Sequence, residues 1–173
     1  MIDLYLDCDG VILDTIDKTY EWMQLEHLDI TDANLVHEYF VNRVNWEKLI
    51  REAGVLKDSL KKIKKLKAMG IYDIRILTTC VSVLEPLIKT DYFKKELPDI
   101  PVITVPWLVK KDSVVDARNS ILVDDSKQNI LFWREAGGVG LHFIKEKTDL
   151  EQMEITDLMD IPKFNGKVKK LVR

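Results

Sequence analysis

An α/β fold with a parallel sheet, helices on both faces and a small helical cap after the first strand is the architecture that the sequence predicts. Short apolar runs alternate with longer amphipathic segments, which is the pattern of repeated β-α-β units. Acidic residues directly follow two of the runs, and ligands bind at the carboxyl ends of parallel strands. Residues 7–73 separate the first two runs, whereas a crossover needs only about a dozen. We therefore expect a Rossmann-like sheet with an insertion.

Composition and charge favour a single soluble domain that spans residues 1–173. Apolar residues make up 46% and charged residues 32% of the chain, as in ordinary globular proteins. The net charge of -3 argues against a nucleic-acid partner, because such binding needs concentrated positive charge. No apolar run reaches the ~20 residues of a membrane span, and the first residues lack the layout of a secretion signal, so we expect a cytoplasmic protein. Nothing in the sequence indicates an oligomeric state.

Periodicity predicts the individual strands and helices. Five short apolar runs, each followed by polar or turn residues, predict the strands Ile2–Leu6, Ile74–Leu77, Val102–Val105, Ile121–Val123 and Val139–Phe143. Three helical segments within residues 15–55 predict a small helical cap: Thr15–Leu28, Asp32–Val44 and Trp46–Ala53. Thr31 and Asn45 are expected to cap the second and third helices, and Gly54 to end the third. Further helices are predicted at Asp58–Met69 and Lys127–Ala136.

Two carboxylates follow the first strand. In the run Asp7-Cys8-Asp9-Gly10-Val11, the two aspartates would share one face of a continuing strand. Unpaired carboxylates within a few ångströms repel each other, so their presence together indicates a bound cation. The alternative is that Asp9 and Gly10 form an ordinary turn at the end of the strand.

Asp124 and Asp125 follow the fourth strand and strengthen the metal interpretation. Mg²⁺ prefers hard oxygen ligands and keeps several waters, so one carboxylate from each of two neighbouring strands and a backbone carbonyl would suffice. We therefore expect Mg²⁺ as the cofactor. The alternative for Asp125 and Ser126 is that one of them merely caps the helix that begins at Lys127.

Hydroxyl groups and lysines near the same edge are candidates for phosphate binding. Thr78 and Thr79 follow the second strand and offer hydroxyl and backbone N–H groups. Lys110 and Lys111 follow the third strand, and one of them could reach the site to offset the clustered acidic charge. Each signal is weak by itself, and the sequence leaves open which lysine is the active one.

The order of these residues resembles the four motifs of the haloacid dehalogenase superfamily of phosphotransferases. The resemblance extends from residue 2 to about residue 143. The first motif is similar to the run from Asp7 to Val11, the second to Thr78, the third to Lys111 or Lys110, and the fourth to Asp124-Asp125.

This resemblance implies a Mg²⁺-dependent phosphatase that works through an aspartyl-phosphate. Asp7 would be the nucleophile, and Asp9 the general acid and base. Thr78 would bind a phosphate oxygen, and Lys111 would stabilise both Asp7 and the phosphoryl group. Metal ligands or contacts to metal-bound water are expected at Asp7, the Asp9 carbonyl, Asp124 and Asp125, and substrate contacts at Gly10, Thr79 and Lys110.

The small helical insertion resembles the cap of the 5′(3′)-deoxyribonucleotidases, which implies a nucleoside monophosphate as the substrate. Aromatic side chains suit base stacking, and Trp22 and Trp46 are the expected contacts to the base. The alternative is that aromatic residues form the core of the cap itself. This alternative is favoured for Tyr20 and Phe40, because both lie on apolar helix stripes.

Two other functions stay open on the sequence. A small cap would leave the site accessible to a macromolecule, either the 3′-phosphate of a nucleic-acid end or a phosphoprotein. A non-catalytic binding protein is the third possibility, because a fold alone does not determine function. His27 and His37 have no metal-ligand spacing and are expected on the cap surface, and the basic segment Lys163–Arg173 receives no assigned role.

Overall fold

The centre of the protein is a six-stranded parallel sheet with the strand order β3-β2-β1-β4-β5-β6. The computed structural model describes residues 1–146, 149 and 151–168. The predicted α/β fold with an all-parallel sheet is confirmed, and a short sixth strand, β6, extends it. The strands are β1 Ile2–Leu6, β2 Tyr72–Cys80, β3 Val102–Pro106, β4 Ser120–Asp124, β5 Val139–Phe143 and β6 Glu154–Ile155.

The second strand is longer than the sequence predicts. It covers Tyr72–Cys80 instead of ending at Leu77, and Thr78 and Thr79 are paired in register with β3. Two threonines favour this extension, because β-branched residues suit a pleated strand. Both threonines therefore belong to the rigid sheet and not to the loop that follows it.

Alternation along the strands sends side chains to two separate hydrophobic clusters, one on each face of the sheet. Leu4 and Leu6 of β1 point to one face, where they pack with Ile63 and Phe93 from two helices. Tyr5 points to the other face, where it packs with Trp133 at a ring-centroid distance of 5.3 Å. Helices therefore cover both faces of the sheet, as the sequence predicts for buried parallel strands.

Seven α-helices occur in the described chain: α1 Thr15–Leu25, α2 Ala33–Asn42, α3 Trp46–Ala53, α4 Ser59–Ala68, α5 Glu85–Glu96, α6 Lys127–Glu135 and α7 Asn165–Val168. Short 3₁₀ turns cover Leu56–Asp58, Lys111–Ser113 and Leu158–Phe164. Helix α5 is an element that the sequence prediction lacks. None of the described helices is long and apolar enough to cross a membrane.

The capping residue of α2 differs from the prediction. Asp32 Oδ1 accepts hydrogen bonds from the backbone N–H groups of Asn34 and Leu35, whereas the Thr31 hydroxyl donates to Asp29. A carboxylate is the stronger acceptor and also favours the positive end of the helix dipole. Asn45 caps α3, because its side chain accepts from the Lys48 N–H group at 3.0 Å.

Helices α1–α3, which we call the cap, form an insertion between β1 and α4 of the core. Leu13 and Val55 form an isolated antiparallel bridge where the chain enters and leaves this insertion. Within the cap, the Tyr39 hydroxyl donates to Glu26 at 2.8 Å and ties α2 to the end of α1. Of the basic segment Lys163–Arg173, residues 169–173 lie outside the described chain.

Candidate active site

The strand order reverses between β1 and β4, and the predicted carboxylates meet at this point. Asp7 directly follows β1 and its N–H group donates to the Val123 carbonyl at 2.9 Å, while Asp124 ends β4. Lys111 Nζ lies 2.8 Å from Asp7 Oδ1 and 2.6 Å from Asp124 Oδ2. All three side chains are buried. A crevice at such a switch point is where open parallel sheets bind their ligands.

Two groups from the start of α6 orient Asp124. The Ser126 N–H group donates to Asp124 Oδ1 at 2.9 Å, and the Asn129 amide lies 3.2 Å and 3.1 Å from the two carboxylate oxygens. Ser126 also caps α6 through its hydroxyl, so the predicted capping role is real for this residue. Sequence reasoning missed Asn129, although a side chain one turn into α6 can reach back to the end of β4.

Three carboxylates form a cluster that fits a metal ion. One oxygen each from Asp7, Asp124 and Asp125 lies within 4.8 Å of the other two. Burial raises the pKa of Asp7 well above its ordinary value, against the lowering effect of Lys111, and burial beside Asp124 raises the pKa of Asp125 to about 7. Asp7 Oδ1 is buried and makes no hydrogen bond of regular geometry, although Lys111 Nζ is close. A hard cation would offset these costs, since it needs such oxygen ligands.

The Asp9 side chain turns away from this cluster towards a second group of residues. Asp9 Oδ1 accepts a hydrogen bond from the Thr15 hydroxyl at 2.6 Å, and its Oδ2 accepts from Lys89 and, at 3.4 Å, from the Thr78 hydroxyl. Thr15 begins α1 and Thr78 lies in β2. Asp9 therefore joins the cap to the core, and only its backbone carbonyl is left for the role in metal binding that the sequence suggested.

Lys89 and Glu85 of α5 were missed by the sequence analysis. Lys89 Nζ lies 2.5 Å from Glu85 Oε1, and Glu85 Oε2 accepts from the Val81 N–H group at 2.7 Å. Both charged side chains are buried. Their spacing of four residues, in the segment between the second and third predicted strands, is the signal that could have indicated a helical ion pair there.

The backbone at Gly10 allows the close approach of Asp125. Gly10 has a φ angle of +72°, and a Cβ atom at this position would lie 2.3 Å from Asp125 Oδ2. Gly10 therefore shapes the carboxylate cluster through its missing side chain. Its predicted contact to substrate stays a prediction.

The structure distinguishes between the two candidate lysines. Lys111 points into the carboxylates, whereas Lys110 is exposed and its Nζ lies 3.7 Å from the centre of the Phe132 ring. The 3₁₀ turn that begins at Lys111 turns this side chain inward and its neighbour outward. Thr79, the other predicted phosphate contact, lines the cavity above the carboxylates.

A cavity of about 450 Å³ lies between the carboxylates and the cap. Its floor includes Asp7, Asp9, Asp124 and Asp125. Apart from two polar side chains, Thr31 and His37, its cap wall is apolar and aromatic. The cap residues that line it are Ile16, Tyr20, Ile30, Thr31, Ala33, Val36, His37, Phe40 and Trp46.

The aromatic residues of the cap are placed differently from the sequence interpretation. Tyr20 and Phe40, which the periodicity favoured as cap core, are half-buried and line the cavity. Trp46 also lines it but is almost fully buried, with Phe40 on one side at 6.2 Å between ring centres. Trp22 does not line the cavity, and its ring lies 5.0 Å from Lys48 Nζ. The geometry therefore gives no support to Trp22 as a base contact.

The two histidines of the cap occupy different environments. His27 is exposed after the end of α1, as expected, and has a φ angle of 57°. His37 does not lie simply on the surface, because it lines the cavity and its ring centre lies 4.3 Å from that of Trp107. His37 therefore brings the loop after β3 against the cap wall.

Comparisons with known proteins identify the fold. No protein-family model and no curated protein matches the sequence. The HAD-hydrolase YfnB from Bacillus subtilis, solved bound to magnesium, superposes with a TM-score of 0.63 at 11% identity, covering 95% of this chain and 98% of that one. A HAD-superfamily hydrolase of subfamily IA from Geobacter sulfurreducens gives 0.56 at 16% identity, with coverages of 96% and 97%.

The D,D-heptose 1,7-bisphosphate phosphatase from Burkholderia thailandensis also superposes, with a TM-score of 0.52 at 14% identity over 89% of this chain and 90% of that one. At such low identities a structural likeness establishes architecture and leaves the substrate open. The chain has the fold of the haloacid dehalogenase superfamily hydrolases.

Proposed function

We propose that this protein is a Mg²⁺-dependent phosphomonoester hydrolase that acts through an aspartyl-phosphate, with nucleoside monophosphates as its substrates. The observation that carries the proposal is the buried arrangement of Asp7, Lys111 and Asp124 at the switch point, with Asp9 two residues beyond Asp7. A nucleophile, a fixed positive charge and a separate acid and base are the groups that phosphoryl transfer through a covalent intermediate requires.

In the first half of the reaction, a carboxylate oxygen of Asp7 attacks phosphorus and the bond from phosphorus to the ester oxygen breaks. Asp9 gives its proton to the departing alkoxide, so that an alcohol leaves. The Lys111 ammonium, held between Asp7 and Asp124, stabilises the negative charge around the reacting centre.

In the second half, a water oxygen attacks the phosphorus of the aspartyl-phosphate and passes its proton to Asp9. The bond between phosphorus and Asp7 then breaks, inorganic phosphate leaves, and both carboxyl groups return to their starting forms. Thr79 would contact the phosphate, which its position in the cavity lining supports, whereas Thr78 is buried and bonded to Asp9 and Lys89.

The carboxylates of Asp7 and Asp124 and the carbonyl of Asp9 would hold the Mg²⁺ ion, with Asp125 ordering its waters. When bound, the ion supplies positive charge that offsets the phosphate and the clustered carboxylates. The close oxygens of Asp7, Asp124 and Asp125 support this assignment, because their burial is costly without a cation.

The composition of the cavity wall supports a substrate with one phosphate and an uncharged leaving group. None of the described lining residues is lysine or arginine, so a second phosphate of a bisphosphate or diphosphate would have no cationic partner there. The half-buried rings of Tyr20 and Phe40 offer apolar faces instead. A nucleobase fits such a wall, because every base has a face that stacks on aromatic rings.

A screen of phosphate esters with Mg²⁺ tests this proposal. Nucleoside and deoxynucleoside monophosphates should release phosphate faster than nucleoside diphosphates, sugar bisphosphates, a 3′-phosphorylated oligonucleotide and a phosphopeptide. Preference for either macromolecule would contradict the small-substrate assignment. Release of phosphate without any phosphorylated Asp7, sought by mass spectrometry after acid quenching, would contradict the covalent route.

A further inference from the structure

A buried lysine with no part in the reaction described above lies beside the proposed acid and base. Lys89 is on α5, and its side chain has 0% exposure. Its ammonium group donates to Asp9 Oδ2, in the half of the site that Lys111 does not contact. Burying an ammonium group is costly unless every N–H bond is used, so its presence here calls for a physical explanation.

The three N–H bonds of the ammonium have three close acceptors, and the Thr79 carbonyl oxygen lies farther away at 3.4 Å. Besides Asp9 Oδ2, the close acceptors are Glu85 Oε1 at 2.5 Å and the Thr78 hydroxyl oxygen at 3.0 Å. Glu85 is itself held by the backbone N–H group of Val81. Lys89 is therefore fixed by the core, and the direction in which it presents its charge to Asp9 is fixed with it.

The two oxygens of Asp9 consequently have different partners. Oδ2 accepts from the ammonium of Lys89, whereas Oδ1 accepts from the Thr15 hydroxyl at 2.6 Å. An ammonium group only donates hydrogen bonds, so a proton on Asp9 Oδ2 would have no acceptor in Lys89. A hydroxyl rotates and can donate or accept, so Oδ1 is the oxygen that can carry the proton during catalysis.

The cap closes the remaining side of the ammonium. The Trp46 ring, at the start of α3, has its centre 4.8 Å from Lys89 Nζ. This is the distance of a cation–π contact, and such contacts strengthen when water is excluded. The orientation of Asp9 thus depends on groups from α5, β2 and two cap helices at once.

We propose that Lys89 is a positioning residue that holds Asp9 in the orientation needed for proton transfer and connects this orientation to the seating of the cap through Trp46. The inference rests on the proposed function, since it assigns Asp9 the role of acid and base. Lys89 itself touches neither the carboxylate cluster nor, in the described chain, the cavity.

The two half-reactions give a test that separates positioning from mere stability. With p-nitrophenyl phosphate the leaving group departs without protonation, so phosphorylation of Asp7 depends little on Asp9, whereas hydrolysis of the aspartyl-phosphate needs it. The variant is Lys89→Met combined with Glu85→Gln, which avoids an unpaired buried carboxylate. Glu85→Gln alone is the reference.

We expect the double variant to release nitrophenolate in a burst as fast as that of the reference, and then to turn over about 10- to 100-fold more slowly. Mass spectrometry of the quenched protein should show phosphorylated Asp7. Lys62→Met is the matched control, because Lys62 forms an ion pair outside the site, with 2.7 Å between its Nζ and Asp157 Oδ2. This variant should show wild-type rates.

Three results would overturn the inference while leaving the proposed function intact. In the first, burst and turnover fall together in proportion to the unfolded fraction, which indicates a structural role alone. In the second, KM rises with kcat unchanged, which indicates that Lys89 binds substrate. In the third, no phosphorylated Asp7 accumulates although the wild type turns over. Failure of the wild type to release phosphate would instead contradict the proposed function.

Trp46→Leu is the second variant, and it keeps the test decisive if the double variant does not fold. It leaves all ion pairs of Lys89 in place and removes only the ring that covers the ammonium. We expect the same accumulation of phosphorylated Asp7 on a smaller scale. A wild-type ratio of the burst rate to the turnover rate in this variant would show that the cap does not influence Asp9 through Lys89.

Discussion

Different forces fix the side chains at the edge of the sheet and the side chains in the cap wall. At the sheet edge, buried charged side chains are held by ion pairs and hydrogen bonds, as Lys111 is held between the carboxylates of Asp7 and Asp124. In the cap wall, half-buried side chains such as Phe40 face a cavity of about 450 Å³ and are placed by packing. Directed bonds fix reacting atoms to a fraction of an ångström, whereas apolar contacts tolerate changes of shape. Substitutions at the sheet edge should therefore lower activity towards every substrate, whereas the effect of substitutions in the cap wall should vary with the substrate.

The largest effect should follow Asp7→Asn, which removes the proposed nucleophile. Turnover should fall more than about a thousandfold for every substrate, because the covalent route is lost. Thermal melting should show an intact fold, since the amide has the same shape and a buried carboxylate with a raised pKa is replaced. Retention of activity towards one ester but not another would break the proposed division between the two regions.

Metal removal should act equally on all substrates. Chelation should abolish activity, Mg²⁺ should restore it, and Ca²⁺ alone should inhibit, because the larger ion takes more oxygen ligands at longer distances and disturbs the line of attack. Mg²⁺ should also raise the melting temperature of the wild type but not of Asp124→Asn, which loses one oxygen ligand of the cluster. Full activity with Ca²⁺ would contradict this geometry.

The effect on kcat/KM of a substitution in the cap wall should depend on the substrate. Phe40→Leu should lower kcat/KM for a nucleoside monophosphate about 10- to 100-fold, the equivalent of ~1–3 kcal/mol of stacking, and should spare acetyl phosphate, which has no ring. Trp22→Leu is the matched control, because Trp22 lies outside the cavity. Equal losses for both substrates in Phe40→Leu would place this residue in the cap core, with no role in selectivity.

The smallest effect concerns the stability of the cap alone. Asp32→Ala should destabilise α2 by ~1 kcal/mol, since it removes the acceptor for two backbone N–H groups. Hydrogen exchange should speed up in α2 and stay unchanged in the sheet. Thr31→Ala is the control, because its hydroxyl bonds to Asp29 and not to the helix. Faster exchange in β1 as well would show that cap and core unfold as one unit.

The sheet and its carboxylates were predictable because each depends on a short stretch of sequence. A run of apolar residues fixes a buried strand, and Asp7 and Asp124 follow such runs directly. Parallel strands then bring their carboxyl ends to one edge. The choice between Lys110 and Lys111 was not predictable, since it depends on the residue at which a single 3₁₀ turn begins and hence on which side chain is buried.

Helix α5 escaped prediction because two charged residues occupy its buried stripe. Glu85, Lys89 and Phe93 are spaced four residues apart and are all buried, yet only Phe93 is apolar. Apolar periodicity cannot reveal such a stripe, because the ion pair that makes its burial acceptable is completed by Asp9 from another element. Similarly, the periodicity of Phe40 is that of a packed residue, and only the tertiary structure shows the cavity that it faces.

The bridge between Leu13 and Val55 makes the cap a replaceable module. The chain leaves the core and returns to it at paired neighbours, so the ends of the insertion are already joined side by side. Segments whose ends lie close together can be lengthened, shortened or exchanged with little strain on the host domain. The proposed catalytic carboxylates and Lys111 all lie outside residues 15–55 in sequence. One core can thus receive different caps, provided that each keeps the contacts to Asp9 and Lys89 that Thr15 and Trp46 supply.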